Sequence, residues 1–163
     1  MQSTGACIWL CGAPGAGKST IAAGVASELQ RRGIPVEVLD AEPHAAHLVL
    51  RLSPSEPASD ADLRRLAHVA GLLALRGVIA IVASDAGSES LRADLRARTP
   101  QFTEVFVDAP AEICAQRATS TTPASRFEEP TAPDVRVVTH DRTPAASTAQ
   151  LISHLESIGV VGE

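Results

Sequence analysis

The sequence predicts an α/β domain: a five-stranded parallel sheet with helices on both faces. Two observations carry that prediction. Short apolar runs alternate along the chain with longer stretches of helical periodicity, the pattern of βαβ units whose strands lie parallel. The 163 residues also have room for one domain of ordinary size, and neither an internal repeat nor a linker divides them, so residues 1–163 are expected to form one unit.

Each element has its own signal. Ala6–Cys11 (ACIWLC) is a short apolar run bounded by glycines, as suits a strand buried on both faces. A Gly-rich turn, Gly12–Ser19, follows. A helix from about Gly17 to Arg32 then stops at Gly33, with Arg31 and Arg32 complementing its C-terminal dipole. Pro35–Leu39 is the second strand, ending at Asp40. Residues 43–58 read as irregular, with one helical stretch around His44–Arg51. Ser59 is placed as an N-cap with Asp62 three residues on, in the glutamate position of a capping box. Leu63, Leu66, Ala67, Ala70, Leu73 and Ala74 then lay one apolar stripe on the sheet, and Gly77 ends the helix. Val78–Val82 is the third strand, Ser88–Arg98 a helix and Thr103–Val107 the fourth strand. Pro110 opens a helix through Arg117. Ala118–Pro133, rich in Ser, Thr, Pro and Ala, reads as loop. Val135–Val138 is the fifth strand, and Thr143-Pro144 supplies N-cap and N1 for a last helix ending before Gly159.

Composition narrows the function. The formal net charge is -5, against the basic stripe that dominates affinity for nucleic acid. No apolar run reaches the roughly 18 residues that span a bilayer. The N-terminal MQSTGACIWL lacks the basic n-region and cleavage site of a signal peptide. The expectation is a soluble cytoplasmic domain without nucleic-acid or membrane partners. With no Tyr and only 2% aromatic residues, the core must be built from Ala, Val, Leu and Ile. Cys7, Cys11 and Cys114 show no CxxC spacing, and the first two read as small buried hydrophobes in a strand. Lys18 is the sole lysine among fourteen basic residues. It should mark a site that needs a compact ammonium and cannot take a planar guanidinium.

Lys18 falls inside a motif. Gly12-Ala13-Pro14-Gly15-Ala16-Gly17-Lys18-Ser19 fits G-x-x-x-x-G-K-[ST], between a predicted strand and a predicted helix, the context that gives the motif meaning. Glycines let backbone N–H groups converge on phosphate oxygens, and the helix adds its positive end. Lys18 would reach the β- and γ-phosphates of a nucleotide, and the Ser19 hydroxyl would hold Mg²⁺. The fold expected is therefore the three-layer P-loop NTPase fold, with ATP and Mg²⁺ as cofactors and residues 12–20, Thr20 included, around the phosphates.

In such sheets the chemistry sits at the C-terminal ends of the strands. Asp40 ends the second strand, with Glu42 two residues on. Asp85 follows VIAIVAS and could hold Mg²⁺ through water. Asp108 ends the fourth strand. Each could equally be a turn residue or a cap, since Asp favours both; Asp108 reads as a cap before Pro110.

Beyond the P-loop, the residues resemble the adenylyl-sulfate kinase family. GAPGAGKSTIA, the strand–helix segment EVFVDAPAEICAQR (104–117), FEEPTAPDV (127–135) in place of a Tyr-Glu-x-Pro-x-x-Pro-Glu-Ile segment, Asp40-Ala41-Glu42 in place of Asp-Gly-Asp, and Leu63-Arg64-Arg65 in place of Ile-Arg-Arg carry the likeness. It covers nearly the whole chain. It implies a kinase that moves the γ-phosphoryl of ATP to a hydroxyl, with Lys18, Asp40 and Glu42 catalytic and Asp40 near Mg²⁺. It also implies that Arg117 lies against adenine, and it suggests a homodimer.

The departures fall on the acceptor side. The family's arginine after Asp-Gly-Asp is Ala45 here, and its purine-stacking Phe is Pro54. The Arg and Asn of its Arg-x-x-Asn element are Ser59 and Asp62. Its Ile-Ser-Pro segment gives way to Asp85-Ala86-Gly87. The lid is cut to Ala118–Arg126, with Arg126 its only charge. Stacking and bidentate charge contacts are each worth roughly 1–3 kcal/mol, so an anionic adenylyl substrate loses several kcal/mol of binding.

His44 and His47, at i and i+3, could bind an acceptor or act as a base near neutral pH; exposed loop histidines are the alternative, since no third ligand or carboxylate orienter is evident. Arg51, Arg64 and Arg65 could contact an acidic acceptor or cover a solvated helix face, and the family match favours Arg65. Three functions follow: a small-molecule kinase whose acceptor is not adenylyl sulfate, a genuine adenylyl-sulfate kinase, and a nucleotide-binding pseudokinase with a regulatory or structural role. For the first, a short lid that excludes water poorly predicts slow turnover with futile ATP hydrolysis.

Overall fold

The computed structural model describes residues 4–40, 59–85, 87–118 and 127–162. Glu42, His44, Ala45, His47, Arg51, Pro54, Ala86 and Arg126, and the helical stretch expected around His44–Arg51, lie outside them, as does the side chain of Asp40. The strands are β1 (Ala6–Cys11), β2 (Val36–Asp40), β3 (Ile79–Ser84), β4 (Phe102–Asp108) and β5 (Val135–Val138). The helices are α1 (Lys18–Arg31), α2 (Asp60–Ala74), α3 (Glu89–Arg98), α4 (Ala111–Arg117) and α5 (Pro144–Ser157). All strands are parallel, in the order β2-β3-β1-β4-β5, so β1 is central.

The side-chain alternation of β1 divides the core. Ala6, Ile8 and Leu10 face one side, where Ile21, Val25 and Leu29 of α1 and Leu151, Ile152 and Leu155 of α5 cover them. Cys7, Trp9 and Cys11 face the other, under Leu63, Leu66 and Ala70 of α2 and Leu91 and Leu95 of α3. Trp9, wholly buried, stacks on Phe102 with ring centroids 6.1 Å apart. Every residue of β1 is inaccessible to water, as a strand covered on both faces must be.

The caps follow the sequence signals. The Ser59 Oγ accepts from the Asp62 backbone N–H, and the Asp62 carboxylate accepts from the Ser59 N–H, closing the capping box. Thr143 caps α5 with Pro144 at the first helical position. Residue ends shift by one or two where pairing extends a strand: β3 runs on to Ser84 and β4 to Asp108, because both pair beyond their last apolar residue. One expectation fails. Asp108 does not cap α4, whose N-cap is Pro110 with no side-chain bond. Its carboxylate instead accepts from the Arg136 guanidinium of neighbouring β5, at 2.9 Å from Nε.

Register positions the site. Cys11 lies opposite Ser84 on one side and Phe106 on the other, while Asp40 lies opposite Ala83. The turn after β1, Asp85 after β3 and the end of β4 therefore emerge together at the carboxyl edge of the sheet. Among the described residues no helix is long and apolar enough to cross a membrane.

The cysteines are sequestered as the sequence implied. Burial pushes the Cys7 thiol up to about 12 from its ordinary 9.0, and Cys11 likewise to about 12. Both should resist Ellman's reagent at pH 8 in the native protein and react once urea unfolds it. A thiol whose folded pKa is raised keeps its proton in the native state while the unfolded thiol ionises near 9. The stability they contribute is complete below about pH 9 and falls as pH rises through it. The thermal midpoint should drop on raising pH from 8 to 10, and Cys7→Ala with Cys11→Ala should flatten that drop.

Candidate phosphate-binding site

The turn after β1 is held from three sides. The Ala16 N–H donates to the Ala13 carbonyl, closing a tight turn. Gly17 then adopts φ 103°, a left-handed conformation that glycine takes without a Cβ penalty, and serves as the N-cap of α1. The first turn of α1 has no side-chain cap and no acidic residue. By contrast, α2, α3 and α5 each have a capping hydroxyl. An uncapped helix N-terminus behind a glycine turn presents amide donors and positive dipole to an anion. Ser19 and Thr20 sit in that first turn, both exposed.

Lys18 is 5% exposed. Its ammonium donates to the carbonyls of Gly12, at 2.9 Å, and Ala13, at 2.8 Å, and pairs with the Asp85 carboxylate. The structure thus brings Lys18 of the phosphate motif together with Asp85 of the third strand's end, two separate sequence signals. Asp85 stands on Lys18 directly rather than apart from it. A compact ammonium with three donors suits three oxygens that converge from different directions, which a planar guanidinium does not.

The far side of the turn contains a residue that sequence reasoning missed. Thr139, just past β5, donates from Oγ1 to the Ala16 carbonyl at 2.5 Å, and its N–H donates to the Asp108 carbonyl at 3.0 Å. Arg117 reaches the same residue, donating to Thr139 Oγ1 and to its carbonyl, both at 3.4 Å. Thr139 therefore joins the phosphate turn, β4 and the last residue of α4. Arg117 thus lies beside the turn through Thr139. The only signal for Thr139 was its position immediately after a predicted strand.

Around the N-terminus of α2, Asp62 and Arg65 are already paired. Asp62 is consumed by the capping box and by Arg65, whose Nη1 donates to Asp62 Oδ1 at 2.8 Å. Arg64 points elsewhere, 3.4 Å from Asp94. Ser59, Asp62 and Arg65 are thus bound to one another. A second cluster has a buried pair, Arg92 and Glu104, at its centre. Arg92 of α3, 2% exposed, donates from Nε to Glu104 Oε1 at 2.6 Å, and Arg96 bridges Glu104 to Asp134. Glu104 was legible only as a carboxylate inside an apolar strand, a position that demands a buried cation.

Fold and site define a nucleoside-phosphate-binding α/β protein of the P-loop kinase class. A family model described as Adenylylsulphate kinase matches residues 4–121, and the chain belongs to that family. An adenylyl-sulfate kinase of Synechococcus sp. (strain JA-3-3Ab) is 42% identical over 117 residues, which are 72% of this chain and 66% of that protein, slightly under two thirds of its length. One from Chloroflexus aurantiacus is 36% identical over 166 residues, 93% of this chain and 87% of the relative. Among solved structures, the Mycobacterium tuberculosis APS kinase CysC in complex with AMPPNP and APS superposes with a TM-score of 0.76 at 29% identity, covering 94% of this chain and 99% of that one.

Proposed function

We propose that the protein transfers the γ-phosphoryl group of Mg-ATP to a hydroxyl of a small acceptor other than adenylyl sulfate. The nucleotide half of the reading is supported by the uncapped α1, the phosphate turn and Lys18. Phosphoryl transfer requires positioning and charge stabilisation, and Lys18 with the turn amides supplies both. Among the described residues no group of three or more His, Cys, Asp or Glu gathers to hold a metal by itself. Mg²⁺ is commonly held by one or two protein oxygens plus substrate phosphates. Ser19, Asp40 and Asp85 would hold it, and the ion would neutralise charge on the phosphates. Phosphate oxygens would compete with Asp85 for Lys18, releasing the carboxylate. Glu42 and His44 stay proposals for the acceptor side, and Arg117 for the adenine side.

The observation that carries the acceptor reading is the closed set Ser59–Asp62–Arg65. Where the resembled family offers an arginine and an asparagine to its substrate, this chain has a helix cap bonded to itself, with Arg65 neutralised by Asp62. The names of the relatives favour the second reading, a genuine adenylyl-sulfate kinase. Titration of adenylyl sulfate into the MgADP-loaded protein separates the two. The expected result is no saturable binding below millimolar concentration. Ser59→Arg with Asp62→Asn should then tighten binding about tenfold or more, since a charge-assisted contact is worth roughly 1.5–3 kcal/mol. Micromolar binding to the unaltered protein would establish the second reading. The homodimer belongs to the same proposal and is tested by sedimentation.

A further inference from the structure

Arg92 is more deeply buried than a neutralising partner for Glu104 needs to be. A desolvated guanidinium costs several kcal/mol that one carboxylate repays only with good geometry and further hydrogen bonds. Its other two bonds go to main chain: Nη1 donates to the Gly87 carbonyl at 2.8 Å and Nη2 to the Glu128 carbonyl at 2.6 Å. The two carbonyls belong to segments far apart in sequence. Those segments meet in a parallel bridge between Gly87 and Phe127, and the guanidinium lies over the Phe127 ring, 5.7 Å from its centroid. Further bonds tighten the junction: Glu128 Oε2 accepts from the Glu89 N–H at 3.0 Å, and Glu89 Oε1 accepts from the Thr131 N–H at 3.0 Å.

Gly87 is the point of leverage. It stands two residues past Asp85, at φ 119°, where a glycine is free to take many conformations. Its carbonyl accepts from Arg92 Nη1. We propose that Arg92 is a positioning residue: through Gly87 it sets the Asp85 carboxylate against Lys18. The proposal rests on the reading of Lys18 and Asp85 as the phosphoryl-transfer centre.

Because Lys18 is the sole lysine, selective ¹³Cε-lysine labelling of the full chain gives one side-chain resonance that reports its surroundings directly. Asp85→Asn should move that resonance. Arg92→Lys, which keeps a cation for Glu104 but loses the fork that spans two carbonyls, should move it more than half as far in the same direction. In the Asp85→Asn background, Arg92→Lys should add nothing. Lys18-dependent ADP release should follow: kcat falls about tenfold in Arg92→Lys, KM for ATP stays within about twofold, and no further fall occurs in the Asp85→Asn background, the signature of coupled residues. Glu104→Gln, which leaves both carbonyl bonds in place, should lower the thermal midpoint without moving the resonance. Should Arg92→Lys not fold, Phe127→Ala, which removes the ring beneath the guanidinium, is expected to move the resonance the same way to a smaller extent.

An unmoved resonance in Arg92→Lys, or an equal fall in kcat with and without the Asp85 carboxylate, would overturn the positioning role and leave Arg92 a structural ion pair. Absence of ADP release from the unaltered protein would instead overturn the kinase reading, and the resonance alone would then decide the role of Arg92.

Discussion

Lys18→Arg is expected to lower kcat/KM for ATP by about 10²–10³-fold while leaving the fold intact, because preorganised charge at a transferring phosphoryl group is worth that much in comparable sites. The substitution keeps the positive charge, so a loss cannot come from electrostatics at long range. It comes from shape. The ammonium of Lys18 sits between the Gly12 and Ala13 carbonyls and the Asp85 carboxylate, and the residue is almost fully buried. A planar fork is bulkier and cannot aim its donors at three oxygens in three directions. This chain places arginine at every other basic position, so the exception tests whether geometry rather than charge is required. Coupled detection of ADP, with the thermal midpoint as the folding control, gives the answer. Activity above a tenth of the original would mean that the charge alone suffices.

Gly15→Ala should weaken MgADP binding at least tenfold. Gly15 adopts φ 83°, and a Cβ there would overlap the Cys114 carbonyl oxygen and approach the Ala118 nitrogen to 2.9 Å. The left-handed conformation costs a residue with a Cβ about 1–2 kcal/mol, and overpacking commonly adds about 1–3. The obstacle is backbone, at the last turn of α4, so relief requires the turn and the helix to separate. That movement carries Arg117 off Thr139 and widens the phosphate turn. A control isolates the cause: Gly33 has φ 73° with no atom within 4 Å of a Cβ. Gly33→Ala should carry the conformational cost alone and leave MgADP affinity unchanged. Equal losses at both positions, measured by calorimetric titration, would show that the contact with α4 is irrelevant.

What could be read from the sequence was local. Each strand announced itself by composition, and the burial of β1 on both faces followed from its unbroken apolar run. The phosphate turn was legible because all its residues are contiguous and the motif names each one's task. Ser59 and Asp62 were legible as a capping box for the same reason. What escaped depends on partners distant in the chain. Thr139 meets Ala16 across 123 positions, and Arg92 meets Glu128 across 36. No local pattern marks either one. Asp108 misled because an aspartate before a proline satisfies the cap signal, while the pairing of β4 with β5 set Arg136 beside it. Asp85 was found by its place at a strand end, but only the register of β1 with β3 puts it on Lys18.

The most direct test is ADP release from Mg-ATP with and without adenylyl sulfate, using Lys18→Ala as the blank. The prediction is slow release that depends on Lys18 and does not rise when adenylyl sulfate is added. Release that rises with adenylyl sulfate and saturates would contradict it, because the self-bonded Ser59, Asp62 and Arg65 would then be no obstacle to the family's substrate.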